Sequence, residues 1–236
     1  MKYLTRPLAA LLAVFLLLAL CACSIKLPAI SAADGSNDPA AVKRYDQTVE
    51  ETDADTLQTL WDAAVSYNEN LYGTPAHDPF IAGGDTAKPD NYDQTLSLPD
   101  TDIMGIIEIP TINVDLPIYH GTSADVLEKG IGHLEASSMP VGGADTHCVL
   151  VGHTGINNAK LFTDLVKLNV GDVFYLHVLG RTLEYQVDQI EVVLPLLLDD
   201  LKRVEGQDYC TLVTAYPYGI NTHRLFVRGT RIDYTP

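Results

Sequence analysis

From residue 101 onward the chain is written almost entirely as short β-type runs, and this limits the possible folds more than any other feature. Seven stretches alternate or are rich in β-branched and aromatic residues: IMGIIEI (103–109), INVDLPIY (112–119), HCVLVGH (147–153), VFYLHVL (173–179), TLEYQVDQIEVVL (182–194), YCTLVTA (209–215) and HRLFVRGTRI (223–232). Between them the pattern leaves room for short helical pieces near 123–129 and 158–167, and a third near 196–204. Many short strands at regular spacing with few helices predict a barrel or sandwich, so the fold class is mostly β. No internal repeat is evident. The β-rich domain is expected to span 101–234.

The part before it divides in three. Residues 27–40 are rich in Ala, Ser, Asp and Pro and read as a linker. Residues 41–73 are helical in pattern, with a break at Thr52-Asp53 and a stop at Gly73 followed by Pro75. In the second helix Leu57, Leu60, Trp61, Ala64, Val65, Asn68 and Leu71 fall on one stripe, which predicts packing against the domain that follows. Residues 74–100 carry four prolines and no periodicity. So long an unstructured loop is usually functional or disordered.

The first 26 residues read as a targeting leader. Lys2 and Arg6 precede an apolar run from Pro7 to Cys23, slightly short for a membrane span. The run ends LCACS, which resembles a bacterial lipobox with Cys23 as the lipidation candidate. The alternative is an uncleaved anchor closed by Lys26. Either places the folded part at the cell membrane, on its extracytoplasmic face. The formal charge of -16 argues against a nucleic-acid partner, because phosphate neutralisation needs a basic surface.

Beyond the leader only Cys148 and Cys210 remain, too few for a disulfide framework, and both sit in apolar runs as buried small hydrophobes would. His147 and His153 share one strand face, but no third ligand follows at a recognisable spacing, so neither a metal nor another cofactor is expected. His153 ends an apolar strand and precedes Thr154-Gly155, which holds it rigidly yet exposed, as a proton carrier needs to be. The stretch TLVTAYPYGINTHRLFVRG (211–229) reads as a hairpin that presents residue 215 beside Arg224. Residue 215 is alanine, which has no chemistry of its own.

Taken together, EIPTINVDLPIYHGTSADVLEKGIGHLEASSMPVGG, VGHTGINNAKLFTDLVKLNVGD and TLVTAYPYGINTHRLFVRG resemble the sortases, and among them the class C, pilin-assembling sortases, over about residues 57–232. The resemblance implies an eight-stranded sortase β-barrel with short helices and an N-terminal helical extension, and a cysteine transpeptidase. His153 matches the family's catalytic histidine, Arg224 its catalytic arginine, and Ala215 the position of its nucleophilic cysteine. Asp78-Pro79-Phe80 resembles the class C lid, in which the acid pairs with the active-site arginine and the aromatic covers the nucleophile.

The implied reaction cleaves a Leu-Pro-x-Thr-Gly-like sorting signal of a pilin or surface protein. A pilin lysine or a cell-wall precursor amine then takes up the acyl group. Ala215 cannot acylate, and Cys210, five residues away in the same strand, faces the other side about 17 Å off. Either a cysteine was replaced by alanine, or the chain is a natural pseudo-sortase, a surface module that binds sorting-signal peptides or pilins. A structural lipoprotein that borrows the barrel is a third reading, and the lid speaks against it. Class C members usually carry a hydrophobic C-terminal segment; this chain stops at RIDYTP, so attachment is expected to rest on the leader.

Overall fold

Two capped helices open the described part of the chain. The computed structural model describes residues 38–71, 80, 89–156, 159–195 and 201–232, all within one compact unit, Ala32–Pro236. The leader, Asp78 and Pro79 lie outside these residues. Asp38 caps α1 (Pro39–Glu51), its carboxylate accepting from the Ala41 N–H at 3.0 Å. Thr52 is extended, and Asp53 then caps α2 (Ala54–Glu69) by accepting from the Thr56 N–H at 2.9 Å. The break expected at Thr52-Asp53 is therefore an end-cap followed by a fresh N-cap. Asn70 caps α2 before Gly73 is reached.

The stripe on α2 is buried as its spacing requires. Ala64, Tyr67 and Leu71 join the main core, with Leu57, Leu60, Trp61 and Val65 packed at its margin. From α1, the Tyr45 hydroxyl donates to Met104 O at 3.2 Å and accepts from the Leu179 N–H at 2.9 Å. Asn68, the polar member of the stripe, is 4% exposed and bonds the Met139 backbone twice, at 3.2 Å to its carbonyl and 2.6 Å from its N–H.

The strands are β1 (Ile103–Ile109), β2 (Val114–His120), β3 (Ile131–His133), β4 (Thr146–Val151), β5 (Thr154–Ile156), β6 (Ala159–Leu161), β7 (Val173–Val178), β8 (Arg181–Val193), β9 (Asp208–Tyr216) and β10 (His223–Ile232). Helix α3 (Ala124–Lys129) lies between β2 and β3. Eight of these strands close a barrel in the order β1-β2-β3-β4-β9-β10-β8-β7, with β7 pairing back to β1. Closure leaves the barrel sheet without free edges. The β2–β3 and β4–β9 pairs are parallel and the other barrel pairs antiparallel.

Two local expectations change. The helical piece near 158–167 is instead β6, paired antiparallel with β5, followed by a short 3-10 turn over Thr163–Lys167. Pairing with β5 takes up the backbone of Ala159–Leu161, so only the last turn's worth of residues is left to coil. The piece near 196–204 is described only from Leu201, which is in 3-10 conformation and is followed by a turn closed by Gln207 N–H to Val204 O at 3.0 Å. The loop after Phe80 is packed from Tyr92 on. The Tyr92 hydroxyl accepts from the Gly121 N–H and donates to His133 O, each at 2.9 Å, while Leu96 and Leu98 are buried.

Alternation along β4, β9 and β10 creates two apolar faces. Leu150, Leu212, Leu225 and Val227 point into the main core shared with the N-terminal helices. Val149, Val151, Val213 and Phe226 point the other way and form a second cluster with Leu127, Leu134 and Leu201. Cys148 and Cys210 are register partners on β4 and β9, both buried in the main core and both free thiols.

Candidate active site

The second cluster is the floor on which the predicted residues meet. β4 and β9 run parallel with Val151 opposite Val213. His153 therefore leaves β4 as far beyond Val151 as Ala215 lies beyond Val213. Two bonds pin this exit: the Gly152 N–H donates to Val213 O at 3.0 Å, and the Thr214 hydroxyl donates to Gly152 O at 2.7 Å. His153 O accepts from the Phe162 N–H at 3.1 Å. Position 152 must be glycine because a Cβ there would stand 2.6 Å from the Phe162 ring and 2.8 Å from Ile131 Cδ1.

The hairpin supplies the facing wall. Ala215 and Arg224 are direct register partners of β9 and β10. The turn between them is closed by the Ile220 and Asn221 N–H groups on Pro217 O, at 3.0 and 2.9 Å. Arg224 is only 4% exposed, and its Nη1 donates to Asn221 O at 3.1 Å and His223 O at 2.8 Å. These bonds hold the guanidinium at the strand end.

Phe80 lies across this arrangement. Its ring centroid is 5.4 Å from that of His153, and the Arg224 Cζ stands 4.9 Å from the Phe80 ring centroid. It packs on the second apolar cluster together with Val193. Burial holds the His153 imidazolium below the usual histidine range, with the Glu128 carboxylate pulling weakly the other way. Such a histidine is neutral near pH 7 and can both accept and return a proton.

The structure thus brings together His153, Ala215, Arg224 and Phe80, on three strand ends and one segment that follows α2. His147 shares the face of His153 but is bound elsewhere. Its Nδ1 donates to Lys202 O at 2.9 Å and its Nε2 accepts from the Thr211 hydroxyl at 2.7 Å. Among the described residues no three His, Cys, Asp or Glu side chains gather as a metal ligand set. Sequence reasoning missed Gly152 and Thr214, which aim His153. The signal for Thr214 was available, since a hydroxyl on the apolar-facing side of a central strand needs a partner.

A sortase-domain family model matches residues 107–232, more than half of the chain. The chain belongs to the sortase family. Its structural relatives lie in class C. The sortase C structure of Streptococcus pneumoniae is 43% identical with a TM-score of 0.77, over 84% of this chain and 98% of that one. Sortase C-1 of Actinomyces oris is 44% identical with a TM-score of 0.71, over 75% and 99% of the respective chains. Sortase D of Bacillus subtilis is 31% identical over 131 residues, a stretch that spans 54% of this chain and 63% of that protein. As a class C sortase the chain has the closed barrel and N-terminal helices described above, with alanine at the end of β9.

Proposed function

We propose that this chain is a class C-type sortase for Leu-Pro-x-Thr-Gly-like sorting signals, with every element of the transpeptidase site except the nucleophilic sulfur. The observation that carries the reading is the register of Ala215 with Arg224, capped by Phe80 resting on both His153 and Arg224. The apolar floor of Val151, Val213, Phe226 and Leu201 suits the Leu-Pro half of such a signal. In the complete reaction a thiol at position 215 gives its proton to His153 and attacks the Thr–Gly carbonyl as a thiolate. The Arg224 fork steadies the substrate or the developing oxyanion. His153 protonates the departing glycine amine, and an acceptor amine resolves the thioester. The Streptococcus pneumoniae relative is described in connection with pilin substrate specificity, which supports a pilin or other surface protein as donor. A pilin lysine or a cell-wall precursor supplies the amine.

With a methyl group at 215 the chain binds the signal but forms no acyl-enzyme. Titration calorimetry with a Leu-Pro-x-Thr-Gly peptide tests this. Heat of binding with no cleavage supports it, and absence of binding by a variant opened with Phe80→Ala counts against it. Ala215 itself favours a second reading, a natural pseudo-sortase that acts as a surface module for sorting-signal peptides or pilins. The two part when the thiol is restored, since a pure binding module still binds but does not react.

We place the working domain at the extracytoplasmic face of the cell membrane, tethered by residues 1–26. Mass spectrometry of membrane-extracted protein distinguishes a diacylglyceryl group on Cys23 from an intact Met1 end. Protein found free in the cytosol contradicts both modes.

A further inference from the structure

Three consecutive residues of the β8–β9 connection touch three different parts of the molecule. The Arg203 guanidinium donates through Nη1 to Asn68 O at 3.1 Å and through Nη2 to Leu71 O. The Asn68 carbonyl lies in the last turn of α2 and the Leu71 carbonyl just beyond its Asn70 cap, where the helix dipole favours a cation. One residue earlier, Lys202 O accepts from His147 Nδ1 at 2.9 Å, and His147 is bonded in turn to Thr211 of β9. One residue earlier again, Leu201 is 9% exposed and sits in the apolar cluster against which Phe80 packs.

The helix end clamped by Arg203 is itself immobilised, because the buried Asn68 amide bonds both the N–H and the carbonyl of Met139. The connection is thus held between a fixed helix end and two barrel strands. An arginine suits this position. Its planar fork reaches two carbonyls at once, whereas a lysine ammonium reaches them only as a flexible point charge.

We propose that Arg203 is a positioning residue. By clamping the end of α2 to the β8–β9 connection it fixes Leu201, and so holds Phe80 over His153 and Arg224. The proposal rests on the reading of Phe80 as the cover of the site. It makes the N-terminal helices part of the machinery that sets how often the site is open, although they contribute no group to it.

Histidine-detected NMR titration of the full chain tests this, with the His153 signal assigned from its loss in His153→Gln. Phe80→Ala exposes the imidazole and is expected to raise the His153 midpoint. Arg203→Gln is expected to raise it by part of that shift, and Arg203→Lys by less. In the Phe80→Ala background Arg203→Gln is expected to add nothing, because the clamp acts through Phe80. A purely structural arginine would lower the melting temperature and leave the His153 midpoint where it was. An unchanged midpoint in Arg203→Gln, or an equal rise without Phe80, overturns the clamp while the cover stands. An unchanged midpoint in Phe80→Ala overturns the cover, and the clamp with it.

Discussion

Ala215 faces Arg224 directly across the β9–β10 ladder, so a buried methyl group occupies the place to which the hairpin delivers its side chain. The arginine donates to two backbone carbonyls at the strand end, those of Asn221 and His223. The proposed site thus has a defined geometry around a methyl group, which leads to predictions about its parts.

The first concerns the cover. Phe80 contacts an imidazole, a guanidinium and the apolar floor. An aromatic pair and a partly desolvated cation–π contact are together worth roughly 1–2 kcal/mol. Removing a cover of that stability in Phe80→Ala is expected to tighten sorting-peptide binding by about tenfold. Fluorescence anisotropy with a labelled peptide measures it. Affinity that is unchanged or weaker would mean that Phe80 belongs to the binding surface and does not close it.

The second concerns acid stability. Burial drives His147 from the usual histidine value down to about 4. The unfolded chain therefore takes up this proton before the folded one does. The resulting stability is full above about pH 6.5 and is lost as pH falls towards 4, on the order of 3 kcal/mol in all. Urea denaturation of parent and His147→Gln between pH 7 and 4 checks the sign. The parent is expected to lose stability more steeply than the variant, and parallel profiles would contradict the assignment.

The third concerns the joint between helix and barrel. Asn68→Ala leaves the Met139 N–H without its partner in a buried place, while the Met139 carbonyl loses one of two donors and keeps the Val141 N–H at 2.8 Å. An orphaned buried N–H costs about 1–3 kcal/mol. A loss of about 1–3 kcal/mol in the urea midpoint analysis is expected, with the slope unchanged. A loss within about 0.5 kcal/mol would show that the helix end is not fastened there.

These contacts also mark what the sequence could reveal. The strand runs were legible because apolar alternation reports burial directly, and seven of the eight barrel strands stand where they were read. Strand β3 was not, because three residues, Ile131–His133, are too few to show a period and are recruited by pairing with β2 and β4. The convergence of His153, Ala215 and Arg224 was visible through motif order and hairpin spacing. The role of Gly152 was not, since it depends on the Phe162 ring arriving from another element. Arg203 likewise carries no local signal, because its partners Asn68 and Leu71 lie more than 130 residues earlier in the chain. The Asp78–Arg224 pairing falls outside the described residues.

The central claim is that only a sulfur separates this site from sortase chemistry, and Ala215→Cys tests it most directly. The new thiol lies between a histidine and a fixed arginine, and nearby positive charge favours the thiolate. One added heavy atom on a side chain the fold already presents should cost less than about 1.5 kcal/mol. The variant, opened further by Phe80→Ala, is mixed with a Leu-Pro-x-Thr-Gly peptide and hydroxylamine and followed by intact mass. The account predicts a thioester adduct on residue 215 and release of the C-terminal fragment, with neither seen for Ala215. A folded variant whose thiol labels with iodoacetamide but forms no adduct with any sorting peptide would contradict it.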